Sequence, residues 1–356
     1  MVLAGTAACG TVENLSAGQK LDNAFEKLGR ERSVAFELDL DTDAKSLMAL
    51  DAEASEPGEE MPAEIAELLS EATISVSMHS KKPIEESGEK DFTAMAMKVS
   101  GPDGALLEYR LVGDWIYARV DAAALGEMSG SPLPSAGELP PEAGAFKKLL
   151  EGGWIKLSMK EMEKAGKNMS GAEGFGTEEP SAEPSLDAKT QKKLTDALKK
   201  VIAEEVDFTT SGGSDGTEHI KATAPFRTLV TELFGALKPL QNELPGGEEL
   251  PTAKDFADAP NKKVSADFTL KNGELTEVSV DLAKLAEKAK PKKLALVLRV
   301  SEGDKPEAPA GATELNIEEL MTSMLSGAFG GAAAADEEFG DVPLEEGDLA
   351  GDAQMW

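Results

Sequence analysis

Hydrophobic and polar residues alternate with a period of two along most of the apolar segments of this chain. The alternation is clear in residues 33–40, 73–79, 92–99, 105–112 and 115–120. A period of two is typical of strands that bury one face and expose the other to water. The last four of these segments follow one another without a long helix between them, so we predict an antiparallel meander.

The second half of the chain repeats this pattern. Residues 206–210 and 219–224 flank a glycine-rich loop, and residues 263–270 and 275–280 flank Asn272-Gly273. Alternation on both sides of an Asn-Gly pair is a strong signal for a hairpin with a two-residue turn. We therefore predict two antiparallel hairpins here.

Three longer segments carry apolar residues at helical spacing. We predict helices over 16–28, 186–204 and 225–240, the last opening with a proline in its first turn, where the missing N–H is tolerated. Two further strands are predicted at 153–158 and 294–300. Strands joined by hairpins, with helices at a few separate places, indicate the α+β fold class.

Composition excludes several classes of function. The 356 residues carry 36 Lys and Arg against 66 Asp and Glu, a formal charge of −30, which argues against a nucleic-acid partner. Two histidines leave little for histidine catalysis, and the single cysteine excludes an internal disulfide or a cysteine-rich zinc site. No run of about 18 apolar residues occurs, so we predict no membrane-spanning helix.

Two local patterns imitate functional motifs, and we assign a function to neither. The Gly-x-Ser-x-Gly pattern at 212–216 matches the nucleophile elbow of hydrolases, but it leads into a strand where that motif needs a helix. Asp39, Asp41 and Asp43 imitate the start of a calcium loop, but the glycine and glutamate required at its sixth and twelfth positions are missing. We predict no catalytic residue, no cofactor and no metal site, and hence no enzyme.

The low-complexity segments divide the chain. We assign residues 1–14 to the end of a signal segment, 15–325 to a single folded domain and 326–356 to a disordered acidic tail, with a short helix over 314–325. No Lys or Arg follows Lys305, whereas twelve Asp and Glu do. Mobile loops are predicted where Pro, Gly, Ser and acidic residues concentrate, near 51–62, 126–144, 163–185 and 241–262.

Cys9 follows a run of small residues and precedes polar ones. Such a context is similar to the cleavage and lipidation site of a bacterial lipoprotein, although Thr6 stands where Leu or Val is usual. Only eight residues precede Cys9, so we expect the basic and apolar parts of a signal peptide to lie upstream of Met1. The alternative is a chance cysteine near the terminus of a cytosolic protein.

Several segments occur in a characteristic order along about Leu15 to Leu315. They are Phe25-Glu-Lys-Leu-Gly29, Gly113-Asp-Trp-Ile-Tyr-Ala118, Gly152-Gly-Trp-Ile-Lys-Leu157, Val206-Asp-Phe208 and the pair Phe268 with Asn272-Gly-Glu-Leu275. This order resembles the actinobacterial lipoprotein family that includes mycobacterial LppX and LprG, LolA-like lipid carriers. The resemblance implies a curved, mostly antiparallel β half-barrel covered by helices on its concave face. It also implies a hydrophobic cavity that carries a lipid or acyl chain.

The resemblance has consequences for location and partners. We expect a monomer, lipid-anchored through Cys9 to the outer face of the cytoplasmic membrane, with a lipid or acyl chain as its ligand. An acyl anchor suits an acidic chain because it supplies membrane affinity that the net charge does not. The alternative function is that of a ligand-free extracytoplasmic structural or interaction lipoprotein, which the acidic loops and the lack of a site motif favour.

Ten apolar residues are candidates for the cavity wall. Period-two spacing predicts that the seven strand residues share one face, and three residues of the 225–240 helix are expected to face them. The ten are Phe36, Leu38, Ile74, Val76, Met78, Met95, Met97, Leu229, Leu233 and Phe234. The alternative is that they fill a packed core, since Met is a common gap-filler there.

Overall fold

A computed structural model gives the fold of most of the chain. It describes residues 7–55, 60–128, 135–139, 144–169, 188–213, 215–243, 250–257, 259–286 and 291–316. Within these ranges, no helix is long and apolar enough to cross a membrane.

The strands of the described residues form one twelve-stranded sheet. They are β1 Ser33–Asp41, β2 Thr73–Ser80, β3 Phe92–Gly101, β4 Gly104–Val112, β5 Trp115–Val120, β6 Ile155–Ser158, β7 Asp207–Gly212, β8 Thr217–Pro225, β9 Lys263–Lys271, β10 Glu274–Asp281, β11 Ala295–Ser301 and β12 Thr313–Glu314. Their order across the sheet is β12-β6-β5-β4-β3-β2-β1-β11-β10-β9-β8-β7. The predicted strands are therefore confirmed, on both sides of residue 170.

Eight helices accompany the sheet in the described ranges. They are α1 Ala7–Arg30, α2 Ala44–Ala54, α3 Ala63–Glu71, α4 Ala122–Met128, α5 Gly144–Leu150, α6 Met159–Met169, α7 Ala188–Glu205 and α8 Phe226–Leu237. Short 3-10 segments occupy Ile84–Glu86, Glu89–Asp91, Lys238–Glu243 and Ala283–Leu285.

Neighbouring strands are antiparallel throughout, except where β12 pairs with β6 in parallel. The sheet has two edges, β12 and β7, and so does not close into a barrel. The α+β half-barrel fold class predicted from the sequence is confirmed. At the centre of the sheet, β1 pairs on one side with β2 and on the other with β11. In the sequence, β11 begins more than 250 positions after β1 begins.

The predicted Asn-Gly turn is present between β9 and β10. Asn272 and Gly273 have φ angles of 54° and 74°, the left-handed region that both central residues of this kind of hairpin turn require. Asp215 and Gly216 take similar values between β7 and β8, with φ of 58° and 75°. The Gly-x-Ser-x-Gly pattern thus lies in a hairpin turn between two strands, as expected; Ser214 itself lies outside the described residues.

Three predicted boundaries are wrong. The first helix begins at Ala7, nine residues before the predicted start, because no proline interrupts residues 7–16 and Gly10 is tolerated inside a helix at a cost of about 1 kcal/mol. Residues 163–169, predicted as loop, continue α6. Glu314, predicted to open a helix, belongs to β12, since Thr313 and Glu314 pair with β6. The predicted helix from 317 onward and the acidic tail lie outside the described residues.

The best-packed core lies between α1 and the sheet. Ala17 and Ala24 of α1 are 0% and 1% exposed, and they pack in one cluster with Ile220 of β8 and Leu270 of β9. The small side chains of Ala17 and Ala24 let α1 approach the sheet closely. The core therefore lies on β1 and on the strands from β11 to β7 that come after it in the order of the sheet.

Candidate functional site

One face of the sheet carries mostly apolar side chains, and we call it the apolar face. Residues directly opposite each other in a sheet point to the same side. Three rows of cross-strand neighbours run from β1 towards β6. They are Phe36, Val76, Met97, Tyr109 and Ala118; Leu38, Ile74, Val99, Leu107 and Val120; and Val34, Met78, Met95, Leu111, Ile116 and Leu157. The structure thus places all seven predicted strand residues on one face.

None of these seven side chains is buried. Ile74 is 40% exposed, and the other six are intermediate between buried and exposed. On the neighbouring strand β11, Leu296 lies opposite Leu40 on the same face and is 39% exposed. The apolar face is therefore open to solvent over its central strands.

The apolar face has a second part, which α1 covers. We call this the covered region: Val34, Ile220, Leu270 and Leu275 of the sheet together with Ala17, Leu21 and Ala24 of α1, which pack on them, all buried. The open region is then the seven predicted strand residues: Phe36, Leu38, Ile74, Val76, Met78, Met95 and Met97. Phe36 and Met78 border the covered region, against which they pack while remaining part-exposed.

The three helical candidates belong to α8. This helix packs mainly against α7, β8 and the 3-10 segment that follows it. The ring of Phe234 stacks on that of Phe256, with centroids 5.2 Å apart. β8 is separated from β2 by four strands, and the contacts of α8 do not test whether Leu229, Leu233 and Phe234 face the open region. Their facing role stays a prediction.

The opposite face of the sheet is polar and carries ion pairs that the sequence analysis did not single out. Arg299 of β11 reaches Glu37 and Asp39 of β1 and Glu277 of β10, with 3.1 Å to Glu37 and 3.6 Å to Glu277. Burial alone would lower the pKa of Arg299, but the hydrogen bonds and charges of Asp39 and Glu37 raise it above its ordinary value. One guanidinium thereby ties three central strands together on this face.

A second charged group lies on β4 and β5 of the polar face. Glu108 is buried, with 8% of its side chain exposed, and accepts hydrogen bonds from Arg110 and Arg119. Both guanidinium groups lie over the ring of Trp154, 4.9 Å and 5.1 Å from its centroid. The sequence signal for these groups was opposite charges at cross-strand positions, such as Glu108 beside Arg119 and Glu37 beside Arg299.

The chain crosses the polar face between β11 and β12, and we call residues 302–312 the return segment. Arg110 Nη1 donates to the carbonyl oxygen of Glu307 at 3.0 Å, and a Cβ on Gly303 would lie 2.7 Å from the carbonyl group of Val34. A cavity of about 1040 Å³ lies between the return segment and the sheet, lined by charged residues such as Lys98, Arg110 and Arg299. This cavity is not the apolar one expected from the sequence.

The residues that imitated functional motifs have structural partners. Asp39 pairs with Arg299 and Asp41 with Lys293, while Asp43 caps α2 by accepting from Ser46 N at 3.0 Å. The hydrogen bonds from Ser46 lower the pKa of Asp43. Across the described ranges, no group of three or more His, Cys, Asp and Glu is placed to hold a metal ion.

Both histidines lie on strands and contact hydroxyl groups. His79 Nδ1 lies 2.5 Å from Ser33 Oγ, and His219 Nδ1 lies 3.3 Å from Thr269 Oγ1. Cys9 lies in the first turn of α1. Its lipidation is untested by the fold and stays a prediction.

Two mycobacterial lipoproteins are found among the solved structures similar to this chain. LppX from Mycobacterium tuberculosis is 10% identical, with a TM-score of 0.30, and the match covers 83% of this chain and 98% of LppX. LprF from Mycobacterium bovis is 9% identical, with a TM-score of 0.30 and coverage of 84% and 98%. The search thus finds the predicted kind of neighbour, because LppX is one of the two members by which the resemblance was described from the sequence.

No protein-family model matches the chain, and no curated protein matches it. At 9–10% identity and a TM-score of 0.30, the two structural neighbours carry no argument about function.

Proposed function

We propose that this chain is a cell-envelope lipoprotein that binds and carries a lipid, with an acyl chain lying against the open region of the apolar face. The observation that carries the proposal is the exposure of this region. Seven apolar side chains form adjacent rows across three central strands, and none of them is buried. Contiguous exposed apolar surface commonly marks a binding site.

The chemistry of the rows suits a hydrocarbon ligand. The side chains of all three rows are apolar apart from the Tyr109 hydroxyl, so a lipid there would be held by burial at about 0.8 kcal/mol per CH₂. Neighbouring strands lie about 4.8 Å apart, so a row over the six strands from β1 to β6 spans about 24 Å. Met78, Met95 and Met97 add unbranched side chains that adapt to a flexible ligand.

The proposal includes an acyl anchor on Cys9. Lipidation there would hold the chain at the outer face of the cytoplasmic membrane, where a lipid carrier meets its cargo. Metabolic acyl-labelling of the full-length gene product, compared with a Cys9→Ala version, tests the anchor. Label on the wild type alone is expected; equal release of both proteins into the medium would contradict it.

Lipid extraction tests the carrier role directly. Mass spectrometry of solvent extracts from the purified wild-type chain is expected to find a lipid in stoichiometric amount. The Met95→Trp variant fills the open region and is expected to lose most of that lipid. Its matched control is Ala96→Trp, the same added residue one position along β3 on the polar face, where it lines the 1040 Å³ cavity.

The outcomes separate the two candidate functions. Lipid retained by Ala96→Trp and lost by Met95→Trp supports a carrier that uses the apolar face. Wild-type protein without extractable lipid contradicts the carrier, and the ligand-free structural or interaction lipoprotein then replaces it. Equal loss in both variants would mean that bulk on β3 disturbs the sheet, and the open region would not be the site.

A further inference from the structure

The cavity under the return segment has a floor of small side chains on the polar face. Ser301, Ala35, Ser77 and Ala96 are successive cross-strand neighbours on β11, β1, β2 and β3, and all four line the cavity. Residues paired in this way point to the same side of a sheet. None of these side chains extends more than one atom beyond Cβ, so space is left between the sheet and the return segment. The row continues to Arg110 of β4, which also lines the cavity.

A row of charged residues lies beside this floor, two positions along each strand. In order from β11 to β4 the row is Arg299, Glu37, Ser75, Lys98 and Glu108. All five residues line the cavity. One wall of the cavity therefore alternates between cationic and anionic side chains, with a hydroxyl group in the middle.

The return segment forms the other wall. Asp304, Lys305 and Glu307 line the cavity and are exposed. The segment is fixed in place because Pro306 is buried and the carbonyl oxygen of Glu307 accepts from Arg110. The cavity crosses the five strands from β11 to β4, about 19 Å at about 4.8 Å per strand. We call it the polar groove: the floor row, the charged row, Arg110 and residues 304–307.

Several polar side chains of the polar groove have no partner in the described part of the chain. Ammonium groups only donate hydrogen bonds, carboxylates only accept them, and hydroxyls do both. All three kinds are free in the groove. They are the ammonium groups of Lys98 and Lys305, the carboxylates of Asp304 and Glu307, and the hydroxyls of Ser75, Ser77 and Ser301.

The charges that line the polar groove cancel. The lining carries four cationic and four anionic side chains, whereas the whole chain has 36 Lys and Arg against 66 Asp and Glu. A balanced lining gives little attraction for a ligand of strong net charge, because each charge on the ligand meets both signs. The groove therefore favours a neutral ligand that is rich in both donors and acceptors. The eight side chains are Lys98, Arg110, Arg299, Lys305, Glu37, Glu108, Asp304 and Glu307.

We propose that the polar groove binds a neutral carbohydrate, a short linear oligosaccharide. Each sugar hydroxyl both donates and accepts, so one sugar unit can accept from an ammonium group and donate to a carboxylate. Hydrogen bonds to charged groups are also stronger than those between neutral groups. An elongated groove suits a linear chain of sugar units. Because the groove runs across the strands, it offers a peptide no strand edge with which to pair.

The carbohydrate site is separate from the proposed lipid site. The polar groove and the open region lie on opposite faces of the same strands, and Ala96 of the groove floor is the neighbour of Met95 and Met97 along β3. The sugar proposal therefore does not rest on the carrier function, and each site can be filled without changing the other.

Binding to immobilised oligosaccharides tests the ligand class. The purified full chain is applied to short linear oligosaccharides of glucose, mannose, galactose and arabinose, and in parallel to oligogalacturonate and to a peptide of alternating Glu and Lys. At least one neutral sugar is expected to bind about tenfold or more strongly than the acidic sugar and the peptide. Tighter binding of oligogalacturonate or of the peptide, or no binding of any neutral sugar, would overturn the proposal.

Paired tryptophan variants test the location by calorimetry with the best neutral sugar. Ala96→Trp fills the groove floor and is expected to weaken sugar binding by about tenfold or more. Its matched control is Met95→Trp, the same added residue on the other face of β3, which is expected to keep the sugar affinity while it loses lipid. Unchanged affinity in Ala96→Trp, or an equal loss in both variants, would contradict a site in the groove.

A second pair of variants changes only exposed charges, so that folding is not at stake. Lys98→Met/Lys305→Met removes the two free ammonium groups and is expected to weaken sugar binding by about tenfold. Lys81→Met/Lys90→Met removes two exposed lysines outside the groove and is expected to bind as the wild type does. Full binding by the first variant, or an equal loss in the second, would overturn the proposal. Sugar binding without extractable lipid would keep the groove and remove the carrier, whereas lipid without sugar binding would do the reverse.

Discussion

The covered and open regions belong to one face of one sheet, and they differ in what lies over them. In the covered region α1 presents Ala17, Leu21 and Ala24 to Ile220 and Leu270, and every one of these side chains is buried. In the open region the side chains are just as apolar but stay part-exposed. Hydrophobic character alone therefore does not tell a core from a binding surface; the presence of a closely packed helix does.

Truncation of a large side chain is expected to give the largest difference in stability between the two regions. Leu270→Ala removes a side chain that is 1% exposed and should lower the free energy of unfolding by about 2–5 kcal/mol. Met97→Ala in the open region should lower it by about 1 kcal/mol, because Met97 is already part-exposed. Urea unfolding measures both. Equal losses would show that the open region is packed as a core in solution.

Enlargement of a side chain sharpens the comparison. Ala24→Leu adds volume where α1 meets the sheet and should destabilise the protein by about 1–3 kcal/mol. Met95→Trp should leave the urea midpoint nearly unchanged while it displaces lipid. A Met95→Trp protein that loses as much stability as Ala24→Leu would argue against free space at β3.

Loss of the ion pairs on the polar face should change the free energy of unfolding by a smaller amount. Arg299→Met removes the contacts with Glu37, Asp39 and Glu277, and since the Arg299 side chain is 46% exposed the cost should be about 1 kcal/mol or less. The difference in the free energy of unfolding between the variant and the wild type should shrink as salt is added. Lipid extraction should be unaffected, because Arg299 lies on the face opposite the open region. Loss of lipid in this variant would contradict the assignment of the ion pairs and the lipid to opposite faces of the sheet.

Protonation of Asp91 at acid pH should give the smallest change in stability. Lys82, and then the backbone N–H of Gly88, hold the pKa of Asp91 below its ordinary value of 3.8. The folded state therefore releases this proton more readily than the unfolded chain, so the stabilisation is complete above about pH 4 and is lost as pH falls through the lower, folded pKa. Asp91→Asn should unfold at a urea midpoint that changes less between about pH 7 and about pH 3 than that of the wild type. An identical change in both would exclude this contribution.

The strands could be predicted from sequence because each is a local pattern. Phe36 and Leu38 alternate with polar neighbours, and Asn272-Gly273 specifies its own turn. Strand β12 could not be predicted in this way: it has two residues, and only the pairing of Thr313 with Ile155 of β6 makes it a strand. The early start of α1 was missed because Ser16 has the chemistry of a helix cap, although it lies inside the helix.

The candidate site was predictable only in part. Period-two spacing places Met95 and Met97 on the same side as Val76, and the structure agrees. The exposure of that side depends on where α1 lies, which no local pattern encodes. The position of α8 depends in the same way on its packing against α7 and β8, which no local pattern encodes, so the facing role of its apolar residues stays a prediction.

The pairing of β1 with β11 also sets the order in which the molecule can be completed. Glu37 and Arg299, which meet across these strands, are 262 positions apart, so the centre of the sheet cannot close until almost the whole chain is available. Contacts this distant in sequence slow folding, because a long loop must be ordered before they form. Until then β1 and β2 expose an apolar face and an unpaired edge, both of which favour aggregation. A chain of this topology would benefit from a holding chaperone during synthesis, and a fragment that stops before residue 295 would be expected to lack a stable sheet.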